Sequence, residues 1–302
     1  MADSTGVDTA DIPSSGVRLL GSSDIRSLLS RLNKRPTKML GQNFVHDPNT
    51  IRRTVQAAGV QADDTVLEIG PGLGSLTLGL LEVGARVVAV EIDSVLAAQL
   101  PITVAEFAPD VLDRLTVIDA DAMQPLQLPE FTGSPVSVVA NLPYNVAVPV
   151  LLTLLEGRPS LRDGVVMVQA EVAQRLAAAS GSRIYGAPTV KLAWYAAVSR
   201  VGSVSRSVFW PVPNVDSELV RFVRRDPPEI PGMSPSREQV FRVIDTAFSQ
   251  RRKMLRAVLG VLFGGSSRTE QVLREAGVDP TARGETLELS DYVRIAAQLP
   301  DR

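Results

Sequence analysis

Short apolar segments alternate with amphipathic ones between residues 65 and 178, and this alternation restricts the possible folds more than any other feature of the sequence. Apolar runs predict strands over Thr65–Ile69, 86–92, 115–118, 136–140 and 165–168, and helical spacing predicts helices over 75–83, Ser94–Phe107, 146–155 and 171–178. Such β-α-β repetition implies a mostly parallel sheet with helices on both faces, because parallel strands need crossover connections. Ligands of these sheets bind at the carboxyl ends of the strands, near the point where the strand order reverses.

The two ends of the chain differ from this α/β region. Residues 1–30 are rich in Ser, Asp and Gly, which predicts a flexible tail. The segment DPPEIPG at 226–232 is typical of a linker, and only helical spacing follows it, over 236–248, 252–263, 268–276 and from a cap at Ser290 to 298. We therefore predict an α/β domain over 31–226, whose first helix starts at Asp47-Pro48 and ends at Gly59, and a small all-helical domain over 233–302.

Composition argues against several functional classes. The 302 residues include no cysteine and a single histidine, His46, so we expect no disulfide, no thiolate nucleophile and no metal site. The N-terminus has no apolar signal segment, and every apolar run is far shorter than the roughly 18 residues that span a bilayer. We therefore expect a soluble, cytoplasmic protein without a membrane partner.

Charge is distributed unevenly, although the formal net charge is only −2. Between residues 60 and 170 there are 14 acidic residues, four arginines and no lysine, whereas 172–215 contain five basic residues and no acid. The densest basic cluster consists of Arg251, Arg252, Lys253 and Arg256. We predict that this cluster contacts nucleic-acid phosphates, and a solvated helix face is the alternative.

A glycine-rich loop, EIGPGLG at 68–74, separates the first strand from the next helix. Glycines at positions such as 70 and 72 allow a tight turn and a close approach of the backbone to a ligand. The dinucleotide fingerprint G-x-G-x-x-G would require glycine where Ser75 stands, so the loop differs from a pyrophosphate-binding one. On its own, this loop is equally compatible with a plain tight turn.

Acidic residues stand at the end of the second predicted strand and just after the third. Glu91 lies 17 residues after Gly74, where a carboxylate can accept hydrogen bonds from both hydroxyl groups of a ribose. Asp119 and Asp121 follow the third strand, and either one can bind an adenine amino group or form an Asx-turn. Their spacing does not decide between them.

The segment NLPYN at 141–145 follows the fourth strand and indicates which reaction the site could perform. The exocyclic amine of adenine is a poor nucleophile, so two acceptors aimed at its protons would stabilise the positive charge that develops during attack on a methyl group. The side-chain oxygen of Asn141 and the backbone carbonyl of Leu142 or Pro143 can be these acceptors. Tyr144 can stack on the base, and a strand-ending turn with a packed tyrosine is the alternative.

Two further segments are candidate parts of the site. Phe209 lies near the end of the acid-free stretch and could stack on the opposite face of a flipped base, whereas a loop pinned by buried aromatic residues is the preferred interpretation for Trp210. Gln42 and Asn43, before the first helix, could cover a cofactor. The neighbouring His46 is interpreted as a surface or capping residue rather than a base.

Together these segments resemble the ribosomal RNA adenine dimethyltransferase family over about residues 34–292. The resemblance rests on GQNFV at 41–45, EIGPGLG at 68–74, VEID at 90–93, DAM at 121–123, NLPYN at 141–145, YG at 185–186, PxPxVDS at 211–217, FSQRRKMLR at 248–256, and GVDP at 277–280 with Arg283. It implies a Rossmann-like S-adenosylmethionine methyltransferase domain of the α/β class, with a mostly parallel sheet, followed by a small C-terminal all-helical domain that binds RNA. One departure is Val45, where the family usually has leucine.

The resemblance also implies roles for individual residues. The expected cofactor contacts are Asn43, Val45, Gly70, Gly72, Glu91, Asp121 and Asn141. The expected catalytic and base contacts are Asn141, Leu142, Tyr144 and Phe209. In this family pattern the aspartate stands just before Ala-Met, which favours Asp121 over Asp119.

Within the family, the sequence is most similar to the branch that dimethylates the N6 amines of two adjacent adenosines in the 3′-terminal hairpin of 16S ribosomal RNA. The implied partner is therefore 16S rRNA in the small ribosomal subunit, and we expect a monomer. FSQRRKMLR argues against the branch that methylates large-subunit RNA. A non-catalytic RNA-binding assembly factor is a further alternative, and Ser75 disfavours a nicotinamide dehydrogenase.

Overall fold

A computed structural model of the chain describes residues 16–34, 42–126, 135–143 and 146–300. The strands are β1 (Phe44–Val45), β2 (Thr65–Ile69), β3 (Arg86–Glu91), β4 (Leu115–Asp119), β5 (Ser137–Asn141), β6 (Asp163–Gln169), β7 (Ala196–Val204), β8 (Phe209–Trp210) and β9 (Ser217–Arg224). The helices are α1 (Ser22–Arg31), α2 (Pro48–Ala58), α3 (Ser75–Glu82), α4 (Ser94–Phe107), α5 (Ala147–Gly157), α6 (Ala170–Leu176), α7 (Ala187–Tyr195), α8 (Arg237–Ser249), α9 (Leu255–Val258), α10 (Gly260–Phe263), α11 (Ser266–Glu275) and α12 (Leu289–Ala296).

Seven strands form the central sheet, in the order β4-β3-β2-β5-β6-β9-β7. Strands β2 to β6 pair in parallel, while β9 runs antiparallel to β6 and β7 antiparallel to β9. The predicted mostly parallel sheet is therefore confirmed. The chain proceeds outward from β2 through β3 to β4 and then returns to place β5 on the other side of β2, so the strand order reverses between β2 and β5.

Helices cover both faces of the sheet, as the continuous apolar strands require. Alternate side chains of one strand enter different cores: Val87 and Ala89 pack with α1 to α4, whereas Val88 and Val90 pack with α5 to α7. A third core joins the helices after Ile230 and also includes Tyr185 and Val190. Among the described helices, none is long and apolar enough to cross a membrane.

The signals at the start and end of α2 act as the sequence predicts. The Asp47 carboxylate caps the helix by accepting a hydrogen bond from the backbone N–H of Thr50 at 2.9 Å. Pro48 occupies the first turn, where its missing N–H costs nothing. Gly59 ends the helix in the left-handed conformation, with φ of +69°.

The predicted flexible tail over 1–30 is wrong for residues 16–30. Helix α1 buries Ile25, Leu28 and Leu29, and the backbone N–H of Arg18 donates to the carbonyl of Phe107 at 2.8 Å. The Ser- and Asp-rich composition concealed apolar residues with helical spacing at 25, 28 and 29. Residues 1–15 lie outside the described part of the chain.

The last part of the described chain is helical as predicted, with two local differences. The predicted helix over 252–263 is divided into α9 and α10, and residues 250–254 form a loop. Helix α12 is capped by Glu288, so the predicted cap Ser290 lies inside the helix. Helix α8 contacts the α/β part directly, because Arg237 donates to the Tyr195 hydroxyl at 3.0 Å.

The antiparallel pair β7–β9 and helix α7 were not predicted. Strand β7 forms an edge of the sheet and its residues 199–203 are exposed, so it lacks the apolar pattern that marks a buried strand. A register shift between Arg200 and Gly202 interrupts it further.

The packing of α1 predicts the effect of truncating one of its side chains. Leu28 is 1% exposed, so Leu28→Ala should lower the free energy of unfolding by about 2–5 kcal/mol. The neighbouring Ser27 is exposed, so Ser27→Ala should change the free energy by less than about 0.5 kcal/mol. Urea denaturation followed by circular dichroism measures both, and equally small effects would contradict the position of α1 in the core.

Candidate active site

A cavity of about 260 Å³ opens at the carboxyl ends of β2, β3 and β5, where the strand order reverses. Most of the predicted site residues line it, namely Asn43, Val45, Gly70, Gly72, Glu91, Asp121, Asn141 and Leu142. These residues come from segments far apart in the sequence. The sheet topology therefore places residues of separate sequence motifs around one cavity.

The glycine loop forms the floor of this cavity. Gly70 and Gly72 have φ values of +68° and +59°, which side chains other than glycine rarely adopt. A Cβ atom at Gly72 would lie 2.9 Å from Cε1 of Phe44, and one at Gly70 would lie 4.0 Å from the carbonyl oxygen of Asn141. The loop thus lies beside Asn141, as the catalytic hypothesis requires.

Glu91 lies at the end of β3 and is buried at 5% exposure. Its Oε2 accepts from the N–H of Gly72 at 3.0 Å, and its Oε1 accepts from the N–H of Asp93 at 3.0 Å. Burial raises the pKa of the carboxyl, although these two hydrogen bonds act in the opposite direction. Because each carboxylate oxygen has more than one acceptor site, the same group can still bind ribose hydroxyls.

The two aspartates that follow the third predicted strand occupy different positions relative to the cavity. Asp121 lines the cavity, whereas the lining does not include Asp119 at the end of β4. The Asp121 carboxylate accepts from the N–H of Met123 at 2.9 Å, so an Asx-turn and a place in the cavity coexist.

The sequence reasoning assigned no role to Ile92, which lines the same cavity beside Glu91 with 53% of its surface exposed.

Asn141 is the last residue of β5. Its side-chain Nδ2 donates to the carbonyl of Asn43 at 3.1 Å. With the amino group held by that carbonyl, the side-chain oxygen is the atom that can accept from a substrate amine. Leu142 and Pro143 line the cavity next to it, and the N–H of Leu142 donates to the carbonyl of Met167 at 3.1 Å.

The two aromatic candidates have different outcomes. Tyr144 lies outside the described residues. The structure differs from the prediction for Phe209: its ring is fully buried in the core formed with α1 to α4, and the cavity lining does not include it. Strand pairing explains this position, because β8 aligns Phe209 with Val45 behind the cavity wall and leaves Trp210 only partly buried.

Glu68, the first residue of the glycine motif, is a cavity residue that the sequence reasoning left without a role. Burial and the negative charge of Glu91 together raise its pKa to about 8, although the Thr77 hydroxyl donates to its Oε2 at 2.7 Å. A neutral carboxyl at this position avoids placing two negative charges beside the same loop. The motif contained this residue, but its burial is a tertiary property.

The predicted basic cluster separates into two pairs. Arg251 and Arg256 are bound internally, to Glu285 at 2.6 Å and to Glu270 at 3.2 Å. Arg251 also donates to the carbonyl of Arg183 at 2.6 Å. It therefore links the loop after α8 to the loop before α7. Arg252 and Lys253 are exposed, and neither forms an ion pair with another described residue. Only these two therefore have cationic groups without an ion-pair partner among the described residues, and phosphate contact by the cluster stays a prediction.

The reversal point of the sheet, the glycine loop and the strand-end carboxylate are the features expected of an α/β S-adenosylmethionine-dependent methyltransferase, and the family match places the protein in this class. The chain belongs to the ribosomal RNA adenine dimethylase family, because the sequence model of that family matches residues 33–300. This match covers most of the chain, including the helical part.

Curated relatives carry the name ribosomal RNA small subunit methyltransferase A. The protein of Rhodococcus opacus (strain B4) is 58% identical over 282 residues, which cover 93% of this chain and 95% of that protein. The protein of Thermobifida fusca (strain YX) is 57% identical over 296 residues, which cover 98% of this chain and 100% of that protein. The similarity thus extends over nearly the whole length of both chains.

Two crystal structures share the fold. A dimethyladenosine transferase from Plasmodium falciparum has a TM-score of 0.68 at 24% identity and matches 83% of this chain and 95% of that one. The 23S rRNA methyltransferase ErmE has a TM-score of 0.60 at 28% identity and matches 85% of this chain and 99% of that one. Family membership and fold confirm the predicted enzyme class and its cofactor, S-adenosylmethionine. The roles of individual residues stay predictions.

The glycine loop provides a direct test of the cofactor site. Gly72→Ala should weaken S-adenosylmethionine binding at least tenfold, because the new methyl group would collide with Phe44 and displace the loop. Isothermal titration calorimetry measures the affinity.

Gly59→Ala is the matched control, because Gly59 has a similar φ of +69° but no atom within 4 Å of the added Cβ. It should share the backbone strain of Gly72→Ala and keep cofactor affinity. Equal affinity losses in the two variants would show that a general loss of stability, and not a change in the glycine loop, is responsible.

Proposed function

We propose that this protein dimethylates the N6 amines of two adjacent adenosines in the 3′-terminal hairpin of 16S rRNA, as part of small-subunit biogenesis. The high identity to proteins named ribosomal RNA small subunit methyltransferase A supports the choice of the small subunit. The position of Asn141 carries the proposal: its amide lies at the cavity, beside the glycine loop, with the amino group held by Asn43. The earlier expectations of a monomer and of a cytoplasmic location stay predictions.

The cavity residues fit S-adenosylmethionine. The positions of Gly70 and Gly72 leave space that side chains would fill, so the cofactor can approach the backbone there. Glu91 would hold the ribose hydroxyls, Ile92 would pack against the adenine ring, and Asp121 would accept from the adenine amino group. When bound, the cofactor supplies an electrophilic methyl group on a sulfonium.

The residues around Asn141 would activate the substrate amine. The Asn141 side-chain oxygen and a carbonyl of Leu142 or Pro143 would accept hydrogen bonds from the two N–H groups of the target adenine. Acceptors fixed in advance stabilise the charge that develops on the amine without reorganisation during the reaction. A strong base is unnecessary, because the nitrogen becomes acidic once methylated and can lose its proton to water.

Two exposed cations of the helical part are our candidates for RNA contact. Arg252 and Lys253 lie in the loop between α8 and α9, free of ion pairs with other described residues. Such residues bind phosphates without reading sequence and make affinity depend on salt. They also favour catalysis on RNA over the dehydrogenase alternative. A purely non-catalytic assembly role is disfavoured by the intact Asn141 and Glu91.

Substitution of Asn141 tests the catalytic assignment. Asn141→Ala should lower the methylation rate about 100- to 1000-fold, because one acceptor for the substrate amine is lost. Mass spectrometry of nucleosides from immature small subunits, incubated with enzyme and cofactor, measures N6-dimethyladenosine. Asn49→Ala, at an exposed position of α2, should retain wild-type activity. Full turnover by Asn141→Ala would refute its role, and absence of dimethyladenosine with the wild-type enzyme would refute the function itself.

The division of the basic cluster predicts unequal effects on RNA binding. The double variant Arg252→Ala/Lys253→Ala should bind 16S rRNA more weakly, and its dependence of log affinity on log salt should be less steep by about 1.5 to 2. Filter binding at several salt concentrations measures both quantities. Arg26→Ala, which removes an exposed charge from α1, is the control. An unchanged salt dependence in the double variant would exclude phosphate contacts at these two residues.

A further inference from the structure

Asp93 joins the start of α4 to two residues that are distant in the sequence, Lys34 and Gln42. One carboxylate oxygen, Oδ1, caps α4 by accepting from the N–H groups of Val95 and Leu96 at 3.2 and 3.4 Å. The other, Oδ2, contacts Nζ of Lys34 at 2.6 Å and accepts from Nε2 of Gln42 at 3.0 Å. The side chain of Asp93 is only 7% exposed, so these contacts are largely shielded from water.

The charge of Asp93 is maintained by these partners. Burial opposes its ionisation, but hydrogen bonds from Lys34 and Gln42 outweigh that effect and hold the pKa of Asp93 below its usual value. The carboxylate and the Lys34 ammonium, itself 19% exposed, form a half-buried ion pair. Such a pair fixes geometry more firmly than an exposed one, because solvent screens it less.

Residues 42–44 form a cavity wall between Asp93 and Asn141. Gln42 is held by Asp93 at one end of this wall, and the carbonyl of Asn43 accepts from the Asn141 amide. The Phe44 ring then lies against the glycine loop at Gly72. The wall therefore connects the carboxylate next to the ribose site with the amide next to the substrate site.

A second series of contacts links Asp93 to the glycine loop through Glu91. The N–H of Asp93 donates to Glu91, and Glu91 in turn accepts from the N–H of Gly72. Asp93 thus belongs to a closed series of contacts around the cavity mouth. A displacement of its carboxylate would be transmitted to both the ribose carboxylate and the catalytic amide.

We propose that Asp93, paired with Lys34, is a positioning residue that sets the wall formed by residues 42–44 and through it the orientation of the Asn141 amide. This inference rests on the proposed function of Asn141. Asp93 is not among the residues that line the cavity, so its effect would pass through Gln42 and Asn43, which are. Its loss should therefore affect cofactor affinity and the rate of methyl transfer, and not only the stability of α4.

Two single substitutions separate positioning from helix capping. Asp93→Asn keeps a good N-cap through its single amide oxygen, but it places an NH2 group where Oδ2 accepts from Gln42 and pairs with Lys34. Lys34→Met keeps the aliphatic stem and removes the ammonium. Each variant should lower S-adenosylmethionine affinity and the single-turnover methylation rate by roughly 10- to 100-fold. Both should melt close to the wild-type temperature.

The double variant Asp93→Asn/Lys34→Met makes the test decisive. If the two residues act as one pair, the double variant should be no more impaired than the worse single variant. Asp291→Asn is the matched control, because Asp291 also accepts from a backbone N–H at the start of a helix, that of the N-cap residue Glu288 at 2.8 Å, and pairs with Arg294 outside the cavity lining. It should leave affinity and rate unchanged.

Specific results would overturn the inference. Unchanged affinity and rate in Lys34→Met, or losses in the two single variants that multiply in the double variant, would refute a shared positioning role. Lys34→Met decides the question even if Asp93→Asn fails to fold. Calorimetry with S-adenosylmethionine alone keeps the test separate from the proposed function, since binding is measured whether or not 16S rRNA is the substrate.

Discussion

The reversal of strand order between β2 and β5 is the constraint on which the site depends. Because the chain leaves β2 in one direction and returns on its other side, the loops after these two strands diverge and leave a crevice. The glycine loop follows β2 and Asn141 ends β5, so the two motifs that matter most meet there without any direct link in sequence. Because β2 and β5 pair in parallel, the glycine loop and Asn141 lie at the same edge of the sheet. Residues 42–45, before α2, line the outer side of the crevice.

Local signals allowed much of this architecture to be predicted. The bounds of α4 and β2 and the capping of α2 follow from residues next to one another in the chain, and the structure confirms them. The strand-end positions of Glu91, Asp121 and Asn141 were predictable for the same reason, since a motif placed after a buried strand must lie at one edge of a parallel sheet.

The differences arise where distant contacts decide the outcome. Phe209 is drawn into the core by pairing with Val45, and Arg251 is neutralised by Glu285, 34 residues later. Neither partner can be identified from the neighbouring sequence. Strand β7 lacks the apolar sequence pattern of a buried strand because it lies at an exposed edge of the sheet. The network around Asp93 likewise depends on Lys34 and Gln42, whose meeting at one carboxylate is a property of the folded chain.

Helix α1 has a consequence for the order in which the protein is made. Its Arg31 pairs with Glu106, a residue synthesised 75 positions later, and its apolar side packs in the core that contains α4. At a translation rate of roughly 5–20 residues per second, that interval lasts about 4–15 seconds. A ten-residue helix has little stability by itself in water. The apolar side of α1 therefore waits for its partner after synthesis, and during this interval it is open to chaperones and to association between nascent chains.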